Sequence, residues 1–116
     1  MRTLVLLLLG AALLACGPGD TIDRYACPTQ GTTLTYDNFG RGFLDQWCQT
    51  CHDAADGSRN GAPSAYDFHD RAAVLEYRDR IFARAADDNS SMPPGPDGPP
   101  SDERHHLAEW LACGAP

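Results

Sequence analysis

The sequence contains no lysine, and acidic residues outnumber basic ones. All nine of its Lys and Arg positions are arginine, against 16 Asp plus Glu, which gives a formal net charge of −7 at pH 7. Such a chain repels phosphate backbones and anionic lipid surfaces. Its charge therefore argues against nucleic acid as the main partner and favours a partner with a basic docking patch, at which salt should weaken binding.

Large apolar residues are also scarce, and several catalytic signatures are missing. Residues 16–116 contain only 15 Ile, Leu, Val, Phe, Met and Trp residues, which is a thin core for one domain of about a hundred residues. There is no internal repeat, no Gly-rich phosphate loop and no Ser/His/Asp spacing. The sequence therefore gives no indication of a hydrolase, and we expect no enzymatic activity.

The N-terminus has the features of an export signal. Arg2 precedes the apolar run Leu4 to Leu9, and residues 13–15 (Leu-Leu-Ala) directly precede Cys16. The residues from 13 to 16 resemble a bacterial lipobox, which implies that residues 1–15 are removed and that Cys16 is lipidated. An uncleaved helical anchor is the alternative, but the apolar run is shorter than the roughly 20 residues that span a bilayer. Gly17 favours the outer membrane by resemblance to such lipoproteins. Removing residues 1–15 takes Arg2 away and changes the formal charge from −7 to −8.

Cys48, Cys51 and His52 form a C-x-x-C-H pattern. On a helical turn, thiols three residues apart lie on one side and can bond the two vinyl groups of a haem, while the adjacent imidazole reaches the iron. A thioredoxin-like redox pair and half of a zinc site are the competing interpretations. A redox pair would require alternating strands and helices, and zinc would require a second nearby Cys or His pair. Neither is present, so the pattern predicts one covalently bound haem c.

Met92 is the candidate for the sixth ligand of the iron. It is the only methionine left after removal of residue 1, and it lies in a polar, Pro-rich segment instead of an apolar period. A lone methionine more often fills a core, and His69, His105 and His106 are rival ligands. The context of Met92 decides between them, and we expect His52 and Met92 as the two iron ligands. The porphyrin would also supply the apolar surface that so thin a core lacks.

Together the C-x-x-C-H pattern and the Met-Pro-Pro run at Met92 resemble those of class I c-type cytochromes, over about residues 36–116. The resemblance implies an all-α fold, with three main helices and loops wrapped around one haem. The predicted organisation is a lipoprotein signal peptide at 1–15, a lipidated tether and strap at 16–35 and a cytochrome c domain at 36–116. Gly40 and Phe43 resemble the glycine and aromatic positions of the first cytochrome helix, where a small residue permits close crossing by the last helix.

Three helices are predicted from apolar periodicity and capping residues. The first runs from Tyr36 into Cys48 with Asp37 as its N-cap. The second runs from about Arg71 to Ala86 and is capped by Asp70; its inward residues are Val74, Leu75, Ile81 and Phe82. The third starts at Ser101 and ends at Gly114; its apolar stripe consists of Leu107, Trp110 and Leu111. Residues 53–67 are predicted to be a loop, and the prolines of 87–100 exclude helix and sheet.

Cys27 and Cys113 remain as an even pair in an exported, oxidising setting. A disulfide between them would join the strap to the C-terminus; two buried free thiols are the alternative. Resemblance also offers Pro63 as the carbonyl that orients His52, with an ordinary turn proline as the alternative. Arg59 is a candidate partner for a haem propionate or is simply exposed, and Trp47 and Trp110 are expected to pack at the helix crossing or against haem.

The predicted function is that of a monomeric, periplasmic electron carrier, tethered to a membrane by lipid at Cys16. It would pass single electrons between redox proteins through His/Met-ligated iron. The alternatives are a haem c subunit or module of a specific dehydrogenase or oxidase complex, a haem sensor, and a thiol-disulfide protein.

Overall fold

The computed structural model describes residues 20–56 and 59–116, and this part of the chain is all-α, as predicted. Its α-helices are α1 (Arg41–Trp47), α2 (Gln49–His52), α3 (Arg71–Glu76), α4 (Arg78–Ala85) and α5 (Ser101–Ala112). A π-helical turn, Tyr36–Gly40, leads into α1, and short 3-10 turns occur at Ile22–Arg24, Ala54–Asp56 and Arg59–Gly61. No strand occurs within the described ranges. The predicted signal peptide and Cys16 lie outside them.

The first helical segment starts at a reciprocal cap that differs from the predicted one. Thr35 is the N-cap: its hydroxyl accepts from the backbone N–H of Asn38 at 3.1 Å, and the Asn38 side chain accepts from the Thr35 N–H at 2.7 Å. Asp37 was predicted as the cap, and that prediction is wrong. The Thr35–Asn38 pair satisfies two free N–H groups together, whereas a single side chain at Asp37 would satisfy one.

The second predicted helix is two helices in the structure. Asp70 caps α3 as predicted, accepting from the N–H of Ala73 at 2.8 Å. The helix is interrupted at Tyr77, whose φ and ψ are −104° and 15°, and this changes the register between α3 and α4. Val74 is fully buried but Leu75, which was expected to face inward, is 38% exposed.

The core forms where the first and last helical segments cross. Trp110 of α5 is fully buried, and its ring lies so close to Gly40 that a Cβ there would be 2.4 Å from it. The other fully buried large side chains are Leu44, Val74, Phe82, Leu107 and Leu111. Gly114, at a φ of +93°, follows α5 at its predicted end. The predicted close crossing at Gly40 is therefore present.

The segment before the first helix packs across the domain. Ile22 is buried in the core, and the Thr32 hydroxyl donates to Glu109 of α5 at 2.6 Å. Cys27 and Cys113 form a disulfide across a sequence separation of 86 residues. The strap is thereby joined covalently to the end of α5. In the part of the chain that the structure describes, no helix is both long and apolar enough to cross a membrane.

Gly40→Ala should destabilise the protein by about 1 to 3 kcal/mol, because the new methyl group would overlap the Trp110 ring. Gly42→Ala is the matched control, since no atom lies within 4 Å of a Cβ at that helical position; it should stabilise by about 0.5 to 1 kcal/mol. Urea unfolding of both variants measures the difference. Equal stabilities would contradict the close crossing.

Replacing Cys27 and Cys113 together by alanine should lower the free energy of unfolding by about 4 to 5 kcal/mol, the chain-entropy expectation for a closed loop of this length. Reduction of the wild-type disulfide should lower the urea midpoint to that of the double variant. A midpoint that is unchanged on reduction would show that the strap is held without the disulfide.

Candidate haem-binding site

A cleft of about 300 Å³ brings together side chains that are far apart in sequence. Cys48, Cys51, His52 and Met92 all line it, although Met92 follows His52 by 40 residues. The remaining lining is mostly apolar and comes from the end of α1, the loop after α2, α4 and the Met92 loop: Trp47, Asn60, Gly61, Ala62, Pro63, Tyr66, Phe68, Arg80, Ile81, Arg84, Ala85, Pro93 and Pro94. An apolar cleft with a few convergent polar groups is typical of a cofactor site.

The two cysteines lie at the junction of α1 and α2. Cys48 separates the helices, and its carbonyl accepts from the N–H groups of Cys51 and His52 at 3.1 and 2.9 Å, so one helical turn carries all three side chains. Both thiols are free. Burial, together with repulsion from Cys51, raises the pKa of Cys48 to about 12. Cys48 is therefore a neutral thiol at physiological pH, whereas the attacking cysteine of a redox pair has a lowered pKa.

The imidazole of His52 is held in one orientation. Its Nδ1 lies 2.7 Å from the carbonyl oxygen of Tyr66, and its ring stacks on Phe68 with the centroids 4.6 Å apart. Because a carbonyl can only accept, Nδ1 carries the proton and the lone pair is at Nε2. His52 therefore offers Nε2 to a metal in the cleft. Pro63 was the predicted acceptor; the chain path places Tyr66 there instead.

Two further hydrogen bonds fix α2 against the segment Tyr66–Phe68. The Phe68 N–H donates to the carbonyl of His52 at 2.8 Å, and the Gln49 side-chain amide donates to the carbonyl of Phe68 at 2.8 Å. The three bonds join both ends of α2 to one extended segment. The position of the imidazole is thus set by main-chain groups on both sides.

Arg59 organises the loop that carries this segment. Its guanidinium donates to the carbonyls of Pro63 and Tyr66 at 2.8 and 2.9 Å, so it does not line the cleft as the propionate interpretation requires. Its donors point at the carbonyls of the loop because Arg59 and Asn60, both at positive φ, turn the chain back on itself. The arginines that do line the cleft are Arg80 and Arg84, both exposed on α4.

Met92 is the exposed apolar side chain of its loop, with 38% of its surface accessible. Its main chain is fixed on both sides: the N–H donates to the carbonyl of Arg84 at 2.9 Å, and the carbonyl accepts from Arg104 at 3.0 Å. An exposed thioether on an anchored backbone is suited to ligand binding more than to core filling.

The rival histidines have other contacts. His69 lies between Asp67 and Asp70 at 3.3 and 3.2 Å, His105 bonds to Asp87, and His106 packs its edge on Phe39. None of the three is among the described residues that line the cleft. Of these candidates, Met92 is therefore the one whose side chain lines the cleft together with His52.

Sequence reasoning missed Arg104, which lies on the buried side of α5. It occupies positions i−3 and i−7 from Leu107 and Leu111, so a charged residue within an apolar helical stripe was the available signal. No sequence signal marks the carbonyl of Tyr66 as the partner of His52.

Trp47 lines the cleft and donates from Nε1 to Glu103 of α5 at 2.8 Å, whereas Trp110 packs at the helix crossing.

The donor set fits a haem c: two free thiols on one turn, an imidazole with Nε2 available and an exposed thioether, around an apolar cleft. No protein-family model, curated protein or solved structure matches the chain. The side chains of the cleft alone therefore support a functional proposal.

Proposed function

We propose that this protein is a class I cytochrome c that carries single electrons through one covalently bound haem. The observation that carries the proposal is the convergence of Cys48, Cys51, His52 and Met92 on one apolar cleft. A zinc or dithiol site would use the first three residues but would give the Met92 thioether no role.

Each residue of the cleft would have a separate task. Cys48 and Cys51 would form thioethers with the vinyl groups, each thiol adding its sulfur and its hydrogen across one double bond. His52 Nε2 and the Met92 sulfur would hold the iron, and Arg80 and Arg84 would pair with the propionates. When bound, haem iron supplies reversible one-electron chemistry, and a His/Met ligand pair raises its potential.

The crossing of the first and last helical segments supports the class I fold. A glycine at position 40 admits the buried ring of Trp110, which is the arrangement that the resemblance implied. Trp47 adds a second link, because its hydrogen bond to Glu103 joins α1 to α5 at the cleft. The two segments would therefore form the frame that presents α2 to the haem.

The alternative functions have less support. A thiol-disulfide protein needs a reactive thiolate, whereas burial raises the pKa of Cys48. A haem sensor needs an open iron position, whereas the Met92 thioether faces the same cleft as His52. A subunit or module of a dehydrogenase or oxidase complex would use the same site, and it differs from a free carrier in its partner alone.

The cellular setting belongs to the same proposal. Lipidation of Cys16 would tether a monomeric carrier in the periplasm, at the outer membrane by the resemblance at Gly17. The formal charge of −8 for residues 16–116 favours redox partners that dock through a basic patch and disfavours nucleic acid.

Expression with a cytochrome maturation system should give a coloured protein whose intact mass equals residues 16–116 plus lipid and one haem. Cys48→Ala and Cys51→Ala should each remove one thioether bond, and the double variant should have no covalent haem in a denaturing gel stain. Cys27→Ala with Cys113→Ala is the matched control and should keep the haem. A colourless wild type with the mass of polypeptide plus lipid would rule out the proposal.

The wild type should have the absorption spectrum of a six-coordinate low-spin haem, including the methionine-to-iron band of the ferric state. Met92→Ala should lose that band and bind carbon monoxide readily in the ferrous state, because the sixth position would be open. His69→Ala should behave like the wild type. Ready binding of carbon monoxide by the wild type would favour a sensor over a carrier.

A further inference from the structure

Arg104 is a buried charged residue that forms no ion pair with any other residue that the structure describes. It is 8% exposed, and the ion pairs found in residues 20–56 and 59–116 do not include it. Arginine is seldom buried in this way unless its donors are satisfied. Here burial lowers the pKa of Arg104, so the fold retains a group that is costly to bury.

The donors of Arg104 go to four main-chain carbonyls. Nη1 bonds to Ala85, Asn89 and Met92 at 2.7, 3.1 and 3.0 Å, and Nε bonds to Pro99 at 3.2 Å. Ala85 is the last residue of α4, and Pro99 lies two residues before α5 begins. One guanidinium therefore bonds to the chain at both ends of the loop, and it also bonds to Met92, whose side chain lines the cleft.

The loop requires such a constraint. Residues 87–100 contain five prolines and form neither helix nor strand, so they have no regular hydrogen-bond ladder of their own. A second contact strengthens the link to α5, because the N–H of Asp87 donates to the carbonyl of Arg104 at 3.0 Å. The loop is thus attached to α5 through both the side chain and the main chain of Arg104.

We propose that Arg104 is a positioning residue that holds Met92 at the iron of the proposed haem, an inference that rests on the proposed function. An iron-thioether bond is weak, and a flexible loop gains conformational entropy when the bond opens. A loop that is held in place gains less, so the methionine stays bound for a larger fraction of the time. Arginine bonds the loop from two separate nitrogens, Nη1 and Nε, whereas the ammonium group of lysine is one compact point charge that can take the place of only one of them. Lysine at this position would preserve the charge but release part of the loop.

Gly98 provides an independent way to disturb the same contact. A Cβ at Gly98 would lie 2.7 Å from Nη2 of Arg104, so Gly98→Ala pushes the guanidinium out of place while keeping every donor in the chain. Its backbone is not at positive φ. This variant is the milder of the two and serves if Arg104→Lys fails to accumulate.

The test is the affinity of the haem-loaded ferric protein for imidazole, which replaces methionine when the iron-sulfur bond opens. Arg104→Lys and Gly98→Ala should each raise this affinity by about tenfold or more, the change expected from losing one charge-assisted hydrogen bond. Both should also weaken the methionine-to-iron band. Arg24→Lys, on the surface at 78% side-chain exposure, and Gly42→Ala are the matched controls and should leave both quantities unchanged.

A residue with only a general structural role would lower the stability to urea without changing imidazole affinity under native conditions. Wild-type affinity and an intact band in haem-loaded Arg104→Lys or Gly98→Ala would therefore overturn the role of Arg104 alone. Absence of covalent haem from the wild type would instead overturn the proposed function, and the ligand role of Met92 with it.

Discussion

The hydrogen bond from His52 Nδ1–H to the carbonyl of Tyr66 determines which nitrogen of the imidazole is available to the cleft. With Nδ1 satisfied, Nε2 is left as the lone-pair donor, and stacking on Phe68 fixes the plane of the ring. The bonds from Phe68 and Gln49 hold α2 against the same segment. Since Cys48 and Cys51 lie on that turn, this one contact region sets the positions of both sulfurs as well. The arrangement of the cleft therefore depends on it.

The other half of the cleft depends on a buried charge. Arg104 attaches the loop of Met92 to α5, and the ring of Trp110, six residues further along the same helix, fits against Gly40. α5 thus links the loop that carries the thioether to the helical segment that leads to Cys48. A chain with few large apolar residues achieves this with main-chain hydrogen bonds, one close helix crossing and a disulfide. The proposed haem would add the apolar contact surface that the side chains lack.

Features with a local chemical cause were predictable from the sequence, whereas features set by the path of the chain were not. The Asp70 cap was found because a cap needs a particular residue type, and the small residue at Gly40 was found by its resemblance to the glycine of the first cytochrome helix. The interruption at Tyr77 has no Gly or Pro to mark it, so the exposure of Leu75 was missed. The C-x-x-C-H pattern and Met92 were singled out by chemistry, and the structure brings them to one cleft; what they bind stays a proposal. The carbonyl of Tyr66 could not be found, because every residue has one.

The most direct measurement of the central claim is proton NMR of the reduced, haem-loaded protein labelled at the methionine methyl groups. Met92 is the only methionine after residue 1, so its assignment needs no further variant. If its sulfur binds the iron of the haem, the methyl resonance is shifted far upfield by the porphyrin ring current. A methyl resonance at the position of a free methionine, in a protein that contains covalent haem, would contradict the ligand pair and the role of the cleft that follows from it.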